Sequence, residues 1–501
     1  MLNLTCSLDY HVRLRPGSEA LVYGDTRLDW SALQDRVRRT AAGLAAQGVG
    51  ADTIVALYMK NSAAFIELLY AISHVGAVAL PMNYRLSGEE VDYIARHAEA
   101  AMILADEEFR SVFADTALPV RFLDAAAQAD STRIFGDAGS LAQATPRHGG
   151  SLYRLMYTSG TTDRPKGVTL SYDNFYWKSA DHKVALDLTS KDRLLVVGPL
   201  YHVGACDIPG LGLHLCGGTL VVLRDFDVEA TFAAIEAEGI TGIWLAPVMT
   251  SMMLSVPGTH RPETLRWCIG GGEKTPEHRI RAFAEVFPNG RYIDAYGMTE
   301  TFGGDSFMVA GREIDKIGSV GVLVPHLEME IRDENGQTLP PMQEGELCMR
   351  GPKVTRGYWN DPDRTAAAYF EDGFFRSGDV GYVDEDGYLF LTDRKKDLII
   401  SGGENVASSE VERVLYALDG VFEAAVVARP DEKWGEVPVA VIVPDPGATV
   451  TFEEMSRHCR RHLAGFKCPK DLILVDSLPR NPSGKILKRA LRESIGAAPR
   501  T

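Results

Sequence analysis

The sequence predicts an α/β chain: a large N-terminal domain of parallel, αβ-layered sheets with a small β-barrel-like part, followed by a small α+β C-terminal domain. Three observations predict it. Apolar runs of strand length alternate with amphipathic runs of helix length as far as about residue 310. Short β runs then follow, separated by Asp-Glu-Asn-Gly and Asp-Glu-Asp-Gly turns, a pattern of hairpins or a small barrel. Beyond Asp393-Arg-Lys-Lys-Asp397 a compact helix–strand–strand–helix pattern begins.

Each element follows from its local pattern. Residues 20–25 read as a strand and turn, and Asp29 caps the amphipathic run 32–49, whose apolar residues recur every three or four positions. Residues 53–59 are an apolar strand, 62–75 a helix, 77–82 a strand, 88–100 a polar-faced helix and 100–106 another strand. The greasiest stretch, Phe65 to Pro81, is broken by Glu67, Ser73 and His74, so it reads as a buried helix and strand and not as a membrane span. In the middle third, 193–200, 217–223, 242–247 and 265–272 read as strands, with helices at 228–239 and 277–290. The last unit holds helices at 408–418 and 452–462 and strands at 424–430 and 439–445, then a frayed tail.

Composition narrows the function. The 501 residues carry 52 Lys and Arg against 68 Asp and Glu, a net charge of −16. That balance argues against nucleic-acid binding, which leaves a basic footprint, and against an anionic membrane surface. The seven cysteines are odd in number and form no C-x-x-C pair. A disulfide framework or zinc knuckle is therefore not expected, and a reducing cytoplasm is the simplest home. The N-terminus lacks an apolar signal core.

The loudest local signal is Tyr157-Thr-Ser-Gly-Thr-Thr-Asp-Arg-Pro-Lys-Gly167. Glycines let backbone N–H groups approach phosphate oxygens, hydroxyls donate further bonds, and a lysine adds charge. The spacing is not that of a Walker A loop, and Pro165 lacks the N–H that a helical cradle would use. A plain Ser/Gly surface turn is the bland alternative, made less favourable by the density of hydroxyls beside Pro-Lys-Gly. Other residue types point the same way. Tyr296 before Gly297 offers a flat face for a purine, and Glu300 a carboxylate for a hard cation. Gly270-Gly-Gly272 ends an apolar strand, where bare backbone admits a ligand.

In this loop and six further segments the chain resembles the adenylate-forming superfamily, which comprises acyl- and aryl-CoA synthetases, luciferases and the adenylation domains of peptide synthetases. The segments are Gly270-Gly-Gly-Glu273, Tyr296-Gly-Met-Thr-Glu300, Ser377-Gly-Asp-Val380, Asp393-Arg-Lys-Lys-Asp397, Ser401-Gly-Gly-Glu-Asn405 and Pro479-Arg-Asn-Pro-Ser-Gly-Lys485. Each alone is weak; in order, from about residue 20 to 490, they are specific. Two departures stand out: Asp163, where the family usually has glycine, and Glu273-Lys274, where many relatives have Ala-Pro.

The resemblance implies a domain of residues 1–395 that binds ATP and acid, and a mobile catalytic lid of residues 396–501 hinged at Lys396. It implies that Thr158, Ser159, Gly160, Thr161, Thr162 and Lys166 surround the phosphates. Gly271, Gly272, Glu273, Asp294, Ala295, Tyr296 and Gly297 border adenine, with Tyr296 stacking on it and Asp294 accepting from its amino group. Thr299 contacts the α-phosphate, Asp379 the ribose hydroxyls and Arg394 the ribose or phosphate, while Glu300, with Thr162, holds Mg²⁺. Lys485 is the main catalytic residue of the first half-reaction, bridging carboxylate and α-phosphate. His202, by position alone more often a packing residue, is implied to gate the acyl site. Tyr201, His202, Val203, Cys206, Ile208, Trp244, Gly270, Met298, Phe302 and Gly303 are implied to line it. Asp207 and Asp305 could serve a polar substituent but read as surface residues. Ser401, Gly402, Gly403, Glu404 and Lys467 are implied to meet coenzyme A.

The implied activity is AMP-forming acid–CoA ligation. A hydrophobic acid (medium- or long-chain, aryl or alicyclic) reacts with MgATP to give an acyl-adenylate and pyrophosphate, and coenzyme A then takes the acyl group. Carrier-protein loading, a luciferase-like oxygenase and a nucleotide-binding regulator without catalysis are the alternatives. The expected partners are small molecules, with no nucleic acid and no transmembrane segment, and a homodimer is allowed.

Overall fold

Helix Ala63–His74 shows why the chain folds around two sheets. Ser62 caps it by accepting from the Phe65 N–H, and all its residues are buried. It packs on helix Trp30–Ala46 and touches strand Glu19–Tyr23 of one sheet and strand Val78–Pro81 of another. Its one acid, Glu67, lies 3.1 Å from Arg36 Nη1 and accepts from the Ser131 N–H. The computed structural model describes residues 2–158, 165–256, 260, 262–271, 275, 277–394, 399–401, 404–431, 434–480 and 486–496.

The first sheet has six strands, Val120–Leu123, Ala100–Asp106, Ile54–Tyr58, Val78–Pro81, Leu152–Thr158 and Lys166–Ser171 in spatial order. It is parallel except for the last pair, in which Thr158 faces Lys166. The hydroxyl-rich loop therefore joins two antiparallel strands, whereas a Walker A loop leads into a helix. The second sheet has nine strands. Its parallel middle runs Arg291–Tyr296, Trp267–Gly271, Gly242–Trp244, Arg193–Val196, Thr219–Val222 and Glu19–Tyr23. Antiparallel strands close both edges. Strands buried on both faces read as continuous apolar runs, which is why they were visible in the sequence.

A third sheet is an antiparallel meander of Glu328–Arg332, Gly345–Arg350, Phe375–Val383 and Leu389–Arg394. Its hairpins are those the turns predict, and its last strand also bonds at Leu389 to Val320 and Gly321.

The C-terminal unit is a five-stranded sheet. Helices Ser408–Tyr416, Phe452–His462 and Lys488–Gly496 accompany it, with an apolar cluster on each face. The last helix and the N-terminal helix Thr5–Leu14 were not read from sequence. Both are short, so burial against neighbours rather than local pattern fixes them. Among the described residues no helix is long and apolar enough to cross a membrane.

Candidate active site

The carboxyl ends of the parallel strands gather the expected nucleotide residues, as open α/β sheets generally arrange their ligands. Gly270 and Gly271 end one strand beside Asp294 and Ala295 of the next, in register. An added Cβ on Gly271 would lie 2.5 Å from the Ala295 carbonyl oxygen, so the two backbones meet only because this residue is glycine. Asp294 is buried, and Thr275 Oγ1 donates to its Oδ1 at 2.7 Å. Burial raises its carboxyl to about 7, against the smaller opposing effects of Thr275 and Arg279.

In the free protein Asp294 lowers stability as pH climbs from the usual carboxylate range to about 7, because the unfolded chain gives up this proton first. An adenine amino group donates best to the ionised form. Adenosine, which has no phosphate to titrate, should therefore bind more tightly as pH rises through about 7. The gain should approach about tenfold per pH unit on the acid side. Calorimetric titration of the wild type and of Asp294→Asn checks this; the variant's affinity should be flat with pH.

Two distant motifs meet at Tyr296. Its buried hydroxyl donates to Asp379 Oδ2 at 2.7 Å, joining the two segments into one wall. Burial, followed by the Asp379 charge, keeps the phenol protonated. Asp379 lies opposite Arg394 in backbone register across the meander. A second convergence links the hydroxyl-rich hairpin to Glu300. Lys166 Nζ lies 2.8 Å from Glu300 Oε1 and donates to Tyr358 Oη at 2.7 Å, and Tyr358 donates in turn to Glu300 Oε1 at 3.0 Å. Glu300 is 4 % exposed, so its carboxyl oxygens are held in a dry place beside Lys166. Tyr358 and Thr275 were missed by sequence reasoning; neither lies in a recognised segment. Thr158 Oγ1, at the end of its strand, is buried with no hydrogen-bond partner among the described residues.

The expected acyl residues lie further along the same edge. His202 caps helix Val203–Asp207, its Nδ1 accepting from the Gly204 N–H at 3.1 Å. Its ring centroid is 6.1 Å from that of Trp244. Trp244 is seated on glycine: a Cβ on Gly198 or Gly204 would come within 2.8 or 2.4 Å of the indole. Tyr201, Val203, Cys206 and Ile208 are buried, and Met298 is partly so. Phe302, Gly303 and Gly304 are successive left-handed residues, with φ of 63°, 73° and 61°. For an aromatic residue such backbone stores strain that its surroundings must hold.

Those surroundings correct one expectation: Asp207 and Asp305 are not surface residues but have no exposure. They are the counter-ions of buried cations. Arg154 Nη1 reaches Asp207 Oδ2 at 2.5 Å, and Lys178 Nζ donates to the Asp207 carbonyl at 3.0 Å. Lys353 Nζ lies 2.8 Å from Asp305 Oδ1 and donates to the carbonyls of Gly303 and Gly304 at 2.9 and 2.7 Å. Burial lowers Lys178 to about 8 and keeps His182, against the same two carbonyls, neutral. Arg154 inside an apolar strand and Lys178 inside a packed helix were the sequence signal; their partners, far along the chain, were not legible.

On the C-terminal unit Ser401 is buried at a strand end paired with Gly435, and Lys467 Nζ is ion-paired with Glu410 at 2.7 Å. Only the backbones of Arg394 and Glu404 are described. Ser159, Gly160, Thr161, Thr162, Gly272, Glu273, Lys396, Gly402, Gly403 and Lys485 lie outside the described residues. An open surface cavity of about 600 Å³ among Asp173, Trp177, Arg350, Arg356 and Tyr369 contains none of the expected residues. The site is located by converging polar groups, not by that hollow.

Comparison with known proteins identifies the family. Residues 8–359 match the AMP-binding enzyme family and residues 410–485 the AMP-binding enzyme C-terminal domain. A feruloyl-CoA synthase of Amycolatopsis sp. is 36% identical over 493 residues, covering 97% of each chain. The long-chain-fatty-acid–CoA ligase FadD13 of Mycobacterium tuberculosis is 33% identical over 515 residues, covering 99% of each. The o-succinylbenzoate CoA synthetase of Bacillus subtilis, solved with its acyl-adenylate intermediate, superposes with a TM-score of 0.87 at 30% identity over 97% of each chain. The same enzyme has also been solved with ATP and a magnesium ion. The chain belongs to the AMP-binding enzyme family.

Proposed function

We propose that the chain is an AMP-forming acid–CoA ligase that activates a hydrophobic carboxylic acid. The observation that carries this reading is the convergence of Lys166, Glu300 and Tyr358, together with the Tyr296–Asp379 pair and Asp294, contributed by strands of three sheets and the segments that follow them.

Asp294 accepts from the adenine amino group, and Asp379 takes the ribose hydroxyls. Lys166 offers positive charge to the phosphates. The donor set suits Mg²⁺: Glu300 is a buried carboxylate next to the loop that would carry the phosphates, and a hard cation takes such an oxygen together with phosphate oxygens and water. When bound, Mg²⁺ neutralises phosphate charge. An oxygen of the acid attacks the α-phosphorus and pyrophosphate leaves; Lys485, on the C-terminal unit, holds the two anions together. Arg480 and Ile486, which flank that segment in sequence, pair in an antiparallel bridge, and Ile486 packs on the C-terminal core. Coenzyme A then attacks the acyl carbon through its thiolate, AMP leaves, and the closed cleft keeps water from the mixed anhydride.

The domain boundary at 395/396 and the hinge at Lys396 remain part of this reading. They are supported by the separation of the large core from the two C-terminal clusters. A cytoplasmic enzyme fits the acidic balance and the seven free cysteines, and size-exclusion chromatography distinguishes monomer from homodimer.

The test is pyrophosphate release over a panel of carboxylic acids, with and without coenzyme A. Some acid should release pyrophosphate and, with coenzyme A, give a thioester and AMP. If the thioester formed only on a phosphopantetheinyl protein, the carrier-loading reading would replace this one. Release with no acid in the panel would refute acid activation.

A further inference from the structure

Tyr358 lies outside every segment of the resemblance, yet it touches both charged residues that the phosphate site would use. We propose that Tyr358 is the positioning residue of that site: its phenol keeps the Lys166 ammonium in place when Mg²⁺ takes the Glu300 carboxylate. The proposal rests on the ligase reading and deepens it by naming the group that holds the lysine for the phosphates.

In the free protein a single carboxylate oxygen serves two donors. Glu300 Oε1 lies 2.8 Å from Lys166 Nζ and accepts from Tyr358 Oη at 3.0 Å. A divalent cation bound to that oxygen repels an ammonium on the same atom, and burial strengthens the repulsion. Lys166 therefore gives up Glu300 when the metal arrives. Its other side-chain partner among the described residues is Tyr358. Two contacts of different kinds hold the ammonium there: Nζ donates to the phenol oxygen at 2.7 Å and stands 4.2 Å from the ring centroid.

The phenol is itself fixed from the backbone. Segment 355–359 is tied at one end to Glu300, whose carbonyl accepts from the Thr355 N–H at 2.7 Å. At the other end it is tied to the hairpin of Lys166, where the Gly167 carbonyl accepts from the Trp359 N–H at 2.7 Å. Between these ties Tyr358 bridges Val168, and its N–H donates to Thr365 Oγ1 at 2.9 Å. Gly357, at φ 139°, lets the turn close on Thr365: a Cβ there would lie 2.4 Å from Thr365 Cγ2. The same five residues thus join the main chains of both charged residues and set the phenol between their side chains. Packing asks only for the ring; the hydroxyl is the part whose donor and acceptor roles both fall to charged groups.

The test is calorimetric titration of the full chain with MgATP, with ATP in EDTA and with adenosine, no acid being present. Tyr358→Phe keeps the ring and loses the hydroxyl; it should weaken MgATP by about tenfold, the scale of a hydrogen bond to a charged group. It should weaken metal-free ATP by no more than about threefold, because Glu300 then still holds the lysine, and adenosine by no more than about twofold. Tyr358→Leu also loses the ring face and should weaken MgATP by about threefold more. A merely structural role would weaken all three ligands alike. Tyr358→Phe binding MgATP within about twofold of the wild type, or losing as much affinity without metal as with it, overturns the proposal. Should Tyr358→Leu not fold, Tyr358→Phe alone decides. A wild type that binds no MgATP overturns the ligase reading and this proposal with it, an outcome distinct from a wild type that binds and a variant that binds equally well.

Discussion

Lys353→Met is expected to lower the unfolding free energy by about 3–5 kcal/mol, because it leaves a buried carboxylate without its counter-ion. Neither Lys353 nor Asp305 has any exposure, so solvent does not screen the pair. The substitution also strips an ammonium from the carbonyls of Gly303 and Gly304, which it holds in the left-handed turn after Glu300. Burial already raises the Asp305 carboxyl, and Lys353 is the largest influence holding it down. Without the lysine the folded protein keeps that proton to higher pH. The unfolded chain releases it in the ordinary carboxylate range, so the variant should lose further stability as pH rises above that range. Lys353→Met/Asp305→Leu, which removes both charges, should recover most of the loss. Urea unfolding of the three proteins at two pH values measures it; an unchanged midpoint in the single variant would show that the pair is not a source of stability.

Lys485→Ala is expected to reduce acid-dependent pyrophosphate release by about 10²–10³-fold, the usual scale for removing a positioned charge from a transition state. The same variant, given preformed acyl-adenylate, should make thioester within about threefold of the wild-type rate, since sulfur attacks the acyl carbon and no bond forms at phosphorus in that step. Parallel assays of the two half-reactions separate a catalytic role from general damage. Equal losses in both would assign the lysine to folding or domain closure.

The parallel strands were readable because burial on both faces leaves continuous apolar runs, as in 53–59 and 265–272. The helix cap at Asp29 was readable because a cap is a local device. The nucleotide residues were found by resemblance, in segments whose spacing is preserved. What local pattern could not show was pairing across the fold. Tyr358 lies 58 positions from Glu300 and reaches it only because the chain returns over the hairpin of Lys166. Asp207 and Asp305 looked like surface positions, because nothing local announces that Arg154 and Lys353 are buried opposite them. Isolated acids are rarely buried unpaired, so recognising theirs required knowing the partners first.

A single-turnover experiment bears most directly on whether one site joins acid to nucleotide before any thiol is involved. Enzyme in excess is mixed with a good acid and MgATP without coenzyme A, quenched, and analysed by mass spectrometry; a second sample is chased with coenzyme A before quenching. Bound acyl-adenylate with an equal amount of pyrophosphate in the first sample, converted to acyl-CoA and AMP in the second, is the predicted result. ADP and phosphate, or thioester formed with no acyl-adenylate ever detectable, would contradict it.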